Sequence, residues 1–305
     1  MTDAQLVKIA PGVHAWIGAG GDSNAGAVET PHGVIAIDSQ QNRVLADAFR
    51  SALTTSIGRS IRAVVNTHYH IDHVAGNVAF TDVPIVAHEK TLAALERELG
   101  PLSSEGATTT DPLAKARMFF GGNFDDLVPE GERTWFMRRV GDVSPLIIVP
   151  PTVTFADKVT VRLPNDTLQV EYWGPAHCDG DLVVYLKKGG VAFLGDLFFN
   201  GRFPWFGDCD LDRWISCLDR VLRMEIKTVV PGHGPPATLK EVAAFRDLLA
   251  AVRNSVGAAI DAGLSEDAAA RDVVVADYVE MQRYKEWMPF NVRAAYRYMR
   301  REQLP

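Results

Sequence analysis

The sequence predicts an α/β protein that ends in a helical extension, on three observations. Between residues 34 and 99, apolar runs of strand length alternate with segments of helical period. Predicted strands at 34–38, 61–65, 168–173, 191–194 and 228–230 each run into a residue of metal-binding type, namely Asp38, His68, His177, Asp196 and His233. From about residue 239 onward the pattern is helical throughout. No repeat or linker interrupts the 305 residues, so one domain is expected over 1–305, with a core at about 5–240 and a helical tail at about 241–305.

The chain opens as a β-meander. Segments 6–9 and 13–17 flank Ala10-Pro11-Gly12, and segments 25–29 and 34–38 flank Thr30-Pro31-His32-Gly33. Asp38 ends the last of these strands; it either buttresses a ligand histidine or caps the helix that follows. That helix spans 41–57, with Val44, Leu45, Ala48, Phe49, Ala52 and Leu53 on one face and Gly58 as its stop. A strand at 61–65, a polar turn, a short helix from about His73, a strand at 84–87 and a helix at 89–99 come next. Asp72 falls where a helix N-terminus favours negative charge. In 101–157 the pattern weakens to a small-residue loop at 103–110, a helix at 112–120, and Trp135, Phe136 and Met137 among Gly and Pro breaks. This segment is either an active-site cover carrying aromatics or ordinary core and subunit contact, which leaves a homo-oligomer open.

Strands at 159–163, 168–173, 182–186 and 191–194 follow, then a loop with Asn200, Arg202, Phe203, Trp205 and Phe206. A helix with Leu211, Trp214, Ile215, Leu218, Val221 and Leu222 on its apolar face leads to the strand at 228–230. Helices are expected at 239–256 and 278–301, the second kinked or split by Pro289. Its stripe of Met281, Tyr284, Met288, Val292, Ala295 and Met299 suits a core or an interface. Arg297, Arg300 and Arg301 suit a solvated face at a helix C-terminus.

Composition sets bounds on function. The 47% hydrophobic content supplies a core, and no run approaches the ~18 to 20 apolar residues of a membrane span, so no membrane partner is expected. A net charge of −7 argues against nucleic acid and leaves small-molecule substrates. The N-terminal residues lack a basic segment followed by an apolar stretch, and Cys178, Cys209 and Cys217 form no Cys-x-x-Cys pair. A cytoplasmic, reducing setting without disulfides is the expectation.

The chemistry concentrates in Asn66-Thr-His-Tyr-His-Ile-Asp-His-Val-Ala-Gly-Asn77. Only eight histidines occur in the chain and three of them lie here, so chance enrichment of a polar loop explains the stretch poorly. Alternate spacing lets His68 and His70 reach one ion while Asp72 and His73 turn toward a second. Neutral imidazole and carboxylate are what a zinc-type ion accepts.

The ordered set of Asp38, His68-x-His70-x-Asp72-His73, His177, Asp196 and His233 resembles the metallo-β-lactamase superfamily over roughly residues 5–240. The resemblance implies an αββα four-layer sandwich with a dinuclear site at the sheet edge, followed here by the helical C-terminal extension. It implies that His68, His70 and His177 hold one ion, that Asp72, His73 and His233 hold the other, and that Asp196 bridges them. The implied cofactors are two Zn2+, with Fe or Mn as other divalent ions.

Aspartate stands at 196, where several β-lactamases of the superfamily carry cysteine or another non-bridging residue. That aligns the chain with the glyoxalase II, lactonase and general hydrolase branches. The expected reaction is attack of a metal-held hydroxide on a lactone, ester, thioester or amide carbonyl, with Asp72 or Asp196 passing the proton to the leaving group. Two dications, two carboxylates and a hydroxide leave a net charge of about +1, which attracts a developing oxyanion. Tyr69, Asn24 and Asn200 are candidate oxyanion donors, each equally explained by local packing or turn chemistry.

Two alternatives stay open at this point: a β-lactamase-like amide hydrolase, and a mononuclear iron dioxygenase of the persulfide dioxygenase type using His68, His177 and Asp196. A noncatalytic module predicts lost ligands, and none is missing. The branches that process nucleic acid fit poorly: those with an extra inserted domain place it between the bridging aspartate and the last histidine, where this chain has only residues 197–232. Aromatics in 119–136 and 198–206 suit a pocket wall or a core equally.

Overall fold

The computed structural model describes residues 4–19, 23–103, 105–134 and 146–302; Trp135, Phe136 and Met137 lie outside the described residues. The meander forms as expected: β1 (Gln5–Ala10), β2 (Val13–Ile17), β3 (Ala25–Thr30) and β4 (Gly33–Ile37) pair antiparallel in sequence order. Helix α1 (Arg43–Ile57) then crosses over to β5 (Ile61–Val65), which lies parallel to β4. Asn42 caps α1 by accepting from the Leu45 N–H, and Gly58 ends it at φ 69°. Beyond the short α2 (Ile71–Val74) and a 3-10 turn at Ala75–Ala79, β6 (Ile85–His88) adds parallel to β5, and α3 (Glu89–Leu99) follows it.

The segment 101–157, where the sequence pattern weakens, holds β7 (Ala107–Thr109), α4 (Pro112–Phe120), α5 (Phe124–Leu127), β8 (Leu146–Ile148) and β9 (Val153–Phe155). Helix α4 has the expected bounds, with Asp111 as its cap and Pro112 at its start. The three short strands leave too brief a pattern to show an alternation. Among the described residues β7 and β8 pair only with each other, and β9 completes a seven-stranded sheet in the order β1-β2-β3-β4-β5-β6-β9.

A second sheet of five strands is built from β10 (Lys158–Arg162), β11 (Thr167–Tyr172), β12 (Leu182–Leu186), β13 (Val191–Phe193) and β14 (Thr228–Val230). Its pairs are antiparallel except β13 with β14, which α6 (Leu211–Leu222) connects as a parallel crossover.

The two sheets face each other. Val13, Val28, Ile35 and Ile37 from one meet Leu182, Val184, Phe193 and Val230 from the other in a shared apolar layer. Alternate residues of β4 point the opposite way, so Val34 and Ala36 pack with Phe49 and Leu53 of α1. Those two side chains are fully buried, each contributing roughly 1.5–3 kcal/mol. On the far side, Ala192 and Val229 pack with Trp214 of α6 and with Phe245 and Leu249 of α7 (Leu239–Asp261). The layers therefore run helix, sheet, sheet, helix, the αββα sandwich expected.

The tail differs from expectation. α7 continues to Asp261, a helix α8 (Glu266–Asp272) follows, and α9 spans Tyr284–Glu302 as one helix with Pro289 inside it. Pro289 lies within the first two turns, where the lost bond would end on the carbonyl of exposed Lys285, so the helix is not split. Among the described residues no helix is long and apolar enough to cross a membrane.

Candidate metal centre

Four loops at one edge of the sandwich deliver the ligand-type side chains. After β5 the chain presents His68 and His70, and His70 stands at the N-cap of α2, which puts Asp72 and His73 in its first turn. His177 comes from the loop between β11 and β12, Asp196 from the 3-10 turn Gly195–Leu197 directly after β13, and His233 from the loop after β14. All seven side chains are buried, none more than 5% exposed. They form two adjoining groups, His68, His70, His177 and Asp196 in one and Asp72, His73 and His233 in the other.

The geometry suits a cation. Donors on one tetrahedral zinc with bonds of ~2.0–2.1 Å lie about 3.3 Å apart. In the first group His70 Nδ1 lies 3.1 Å from His177 Nε2, and Asp196 Oδ2 lies 3.6 Å from His177 Nε2 and 3.8 Å from His68 Nε2. In the second, Asp72 Oδ2 lies 3.1 Å from His233 Nε2 and 3.7 Å from His73 Nε2. The other Asp196 oxygen, Oδ1, faces this second group, 3.1 Å from His73 Nε2 and 3.6 Å from His233 Nε2. Among the described residues, buried His68 Nε2, His73 Nε2 and Asp196 Oδ1 make no protein hydrogen bond. Such lone pairs are costly to bury unless something accepts them, and a divalent ion does.

Charges within the site follow from this packing. Burial pushes His68, His70 and His177 toward the neutral form, His177 down to about 3. Burial acts the same way on His73 and His233, but the carboxylates win: Asp196, Asp72 and Asp38 raise His73, and Asp196 and Asp72 raise His233. Burial opposes ionisation of Asp72 and Asp196 too, yet His73 and His233 hold Asp72 at about 2 and Asp196 well below its usual value.

Surrounding residues hold the donors in place. Of the two readings of Asp38, the structure supports the buttress: its Oδ2 lies 2.9 Å from His73 Nδ1, while Asn42 caps α1. Asp38 adopts φ 58°, a left-handed conformation that aspartate tolerates, and it accepts from the Thr67 N–H at 2.7 Å and the Thr67 hydroxyl at 2.8 Å. Thr67 Oγ1 in turn lies 3.1 Å from His68 Nδ1. Ser39 donates to the His73 carbonyl at 3.0 Å, and Ser23 donates to that of Asp72. Gly232 leaves room for Asp196: a Cβ there would lie 1.9 Å from Asp196 Oδ1.

The three candidate oxyanion donors have other partners. Tyr69 is fully buried and donates to Asp208, whose carboxylate also accepts from the Gly122 and Asn123 N–H groups at 2.9 and 3.1 Å. Asn24 donates to the carbonyls of Pro231 and Gly234 and accepts from the Gly18 N–H, which clasps the His233 loop. Asn200 donates to the Pro235 carbonyl at 2.9 Å, across to the segment that follows His233. Cys178, next to His177, is buried.

Above the donors lies a narrow pocket walled by Phe119, Phe120, Phe199, Trp205, Arg202 and Trp287. The aromatics at 119–120 and 198–206 thus include true pocket wall. Trp287 of α9 went unrecognised in the sequence because its helix repeats as an ordinary amphipathic stripe. Arg202 Nη1 lies 3.2 Å from His233 Nδ1, and its guanidinium sits 4.8 Å from the Trp287 ring centroid.

The model of the family described as the metallo-beta-lactamase superfamily matches residues 19–233, ending at the last ligand-type histidine. The chain belongs to that superfamily and carries His and Asp groups able to bind metal. Among its relatives is a linear primary-alkylsulfatase of a Pseudomonas species, 23% identical over 261 residues, or 79% of this chain and 48% of that protein. The chain thus spans about half the length of that relative. Among solved structures, a metallo-beta-lactamase from Pontibacter korlensis aligns with TM-score 0.59 at 22% identity, covering 81% of this chain and 99% of that one. The sec-alkylsulfatase Pisa1 from Pseudomonas sp. aligns with TM-score 0.68 at 19% identity, covering 96% of this chain and 50% of that one. At these identities the two structures show a common fold.

Proposed function

We propose that this chain is a dinuclear metal-dependent hydrolase acting on a small ester-class carbonyl compound, with zinc or similar divalent ions as cofactors. In this reading His68, His70 and His177 hold one ion, Asp72, His73 and His233 hold the other, and Asp196 is shared. The observation that carries it is the Asp196 carboxylate, whose Oδ2 faces His68 and His177 while Oδ1 faces His73 and His233. When bound, the ions supply Lewis acidity and a water of lowered pKa.

The remaining roles belong to the protein. Ionised Asp72 and Asp196 offset the positive charge, and Asp72 is placed to take up a proton and return it to the leaving group. Asp38 fixes the ring of His73 so that Nε2 faces the site. The ring wall excludes water around an apolar substrate portion. Asp72, His73 and His233, complete as a second group, are what an iron site built from His68, His177 and Asp196 alone would not require. The acidic balance favours a small molecule over nucleic acid.

Arg202 in the pocket, together with the likeness to an alkylsulfatase, supports a second reading in which the bond cleaved is that of a sulfate ester. A panel of lactones, esters, thioesters, β-lactams, phosphodiesters and alkyl sulfates, run with metal-loaded and metal-stripped protein, separates the two. Metal-dependent turnover of esters or lactones is expected, and sulfate release would favour the second reading. A single tightly held iron per chain with no hydrolysis of any kind would overturn both.

A further inference from the structure

Outside the ligand set, a buried polar side chain of the C-terminal extension has an unusual pair of partners. Asn291 of α9 is 1% exposed and sits between pocket-lining Trp287 one turn before it and core Ala295 one turn after. A carboxamide at a core position costs stability unless its donors and acceptor are used. Here Nδ2 donates to the Pro204 carbonyl at 2.7 Å, and Oδ1 accepts from the Phe206 N–H at 2.9 Å. One side chain thus grips the backbone on both sides of Trp205, as a neighbouring strand would. The segment before α9 adds a third tie, from the Phe203 N–H to the Gln282 carbonyl at 2.9 Å.

The loop held in this way carries Arg202 and Trp205 into the pocket above the metal-binding groups. Their rings and charge interlock with the same helix. Trp205 and Trp287 have centroids 5.9 Å apart, Trp205 and Phe290 6.0 Å apart, and Arg202 lies over Trp287. Gly207 closes the loop where a Cβ would strike the Phe120 carbonyl at 2.1 Å, so the chain there has little room to adjust. Position and composition of this wall therefore depend on α9, well after the last ligand-type residue in the sequence.

We propose that Asn291 is a positioning residue for substrate selection: it fixes the 202–206 wall, and through Arg202 it sets how an anionic or strongly polar part of the substrate is received. The proposal rests on the reading of the pocket as the active site. The hydrogen-bond partners of Asn291 are wall residues and not ligand-type residues, so its effect is on recognition rather than on the bond-breaking step.

The test uses the zinc-loaded chain and the variant Asn291→Leu, which keeps the branched outline of the side chain, adds apolar bulk and removes both hydrogen bonds. Exchange of the Phe206 amide hydrogen gives a readout independent of activity. It should quicken at least about tenfold with two ions still bound, because that N–H loses its buried acceptor. On the fastest substrate of the panel, KM should rise about tenfold with kcat changed less than about threefold. In an Arg202→Ala background the same substitution should leave KM unchanged, since the effect is transmitted through Arg202. Unchanged Phe206 exchange, a fall in kcat at constant KM, or additive effects of the two substitutions would overturn the proposal. If no substrate is turned over, the hydrolase reading fails, and the exchange rate still decides whether Asn291 holds the wall.

Discussion

In the proposed dinuclear centre Asp196 is the shared residue, because its two oxygens face two different donor groups. Asp196→Asn keeps the size and removes the charge that would offset two dications about 3.5–4 Å apart. Both sites should bind metal more weakly, and turnover should fall on the order of a hundredfold or more, with the fold retained because the side chain sits outside the apolar layers. Metal stoichiometry beside circular dichroism checks this; two tightly held ions and normal turnover would mean that the bridge lies elsewhere. Gly232 offers a second test, since an added methyl must displace Asp196 Oδ1 from 1.9 Å or shift Gly195, 2.8 Å away. Gly232→Ala should cost about 1–3 kcal/mol of stability and most of the metal affinity at once. A thermal melt paired with a zinc titration measures both, and intact affinity would show that the carboxylate has freedom to move.

At the scale of elements, the clearest prediction concerns a turn. Asp166 lies between β10 and β11 and accepts from the Thr167, Lys188 and Gly189 N–H groups at 2.7, 2.9 and 2.7 Å, tying that turn to the one after β12. Partial burial works against its ionisation, but the three donors prevail and its pKa is lowered. A lowered carboxylate stabilises the fold above its unfolded pKa near 3.8, and that contribution disappears as pH falls through the folded value. Asp166→Ala should therefore destabilise by about 1 kcal/mol at neutral pH and make no difference in strong acid. Equal destabilisation at both pH values, followed by urea unfolding, would refute the clasp.

The same scale shows what the sequence made legible. Elements with a full period and a chemical stop were placed almost to the residue: α1 between Asn42 and Gly58, α3 before Gly100, α4 after Asp111. The short strands β7, β8 and β9, with three residues each, are too brief to carry an alternation and take their place from pairing partners far away in sequence. The ligand-type residues stood out because imidazoles and carboxylates at strand ends have few other uses. Trp287 and Asn291 did not, because a residue on an amphipathic stripe gains its role only from the loop that happens to pack on it.

For the molecule as a whole, the donors come from both sheets, so any bound ion ties the sandwich together. Stripping the metal with a chelator should lower the melting temperature on the order of 10 °C, and zinc should restore it in a concentration-dependent way. An unchanged melt would mean that the site is preformed and adds nothing to the stability of the fold.

The seam between the sheets has a further implication. The first sheet ends at Phe155, the second starts at Lys158, and Ala156 and Asp157 between them are exposed. His68, His70, Asp72 and His73 lie before this seam, and His177, Asp196 and His233 lie after it. Each of the two donor groups draws on both sides. Cleaving the chain at 156–157 would thus yield two fragments that each hold part of both groups and all of neither. High-affinity zinc uptake by the mixed fragments would then be a direct signal of their reassociation, silent for either fragment alone.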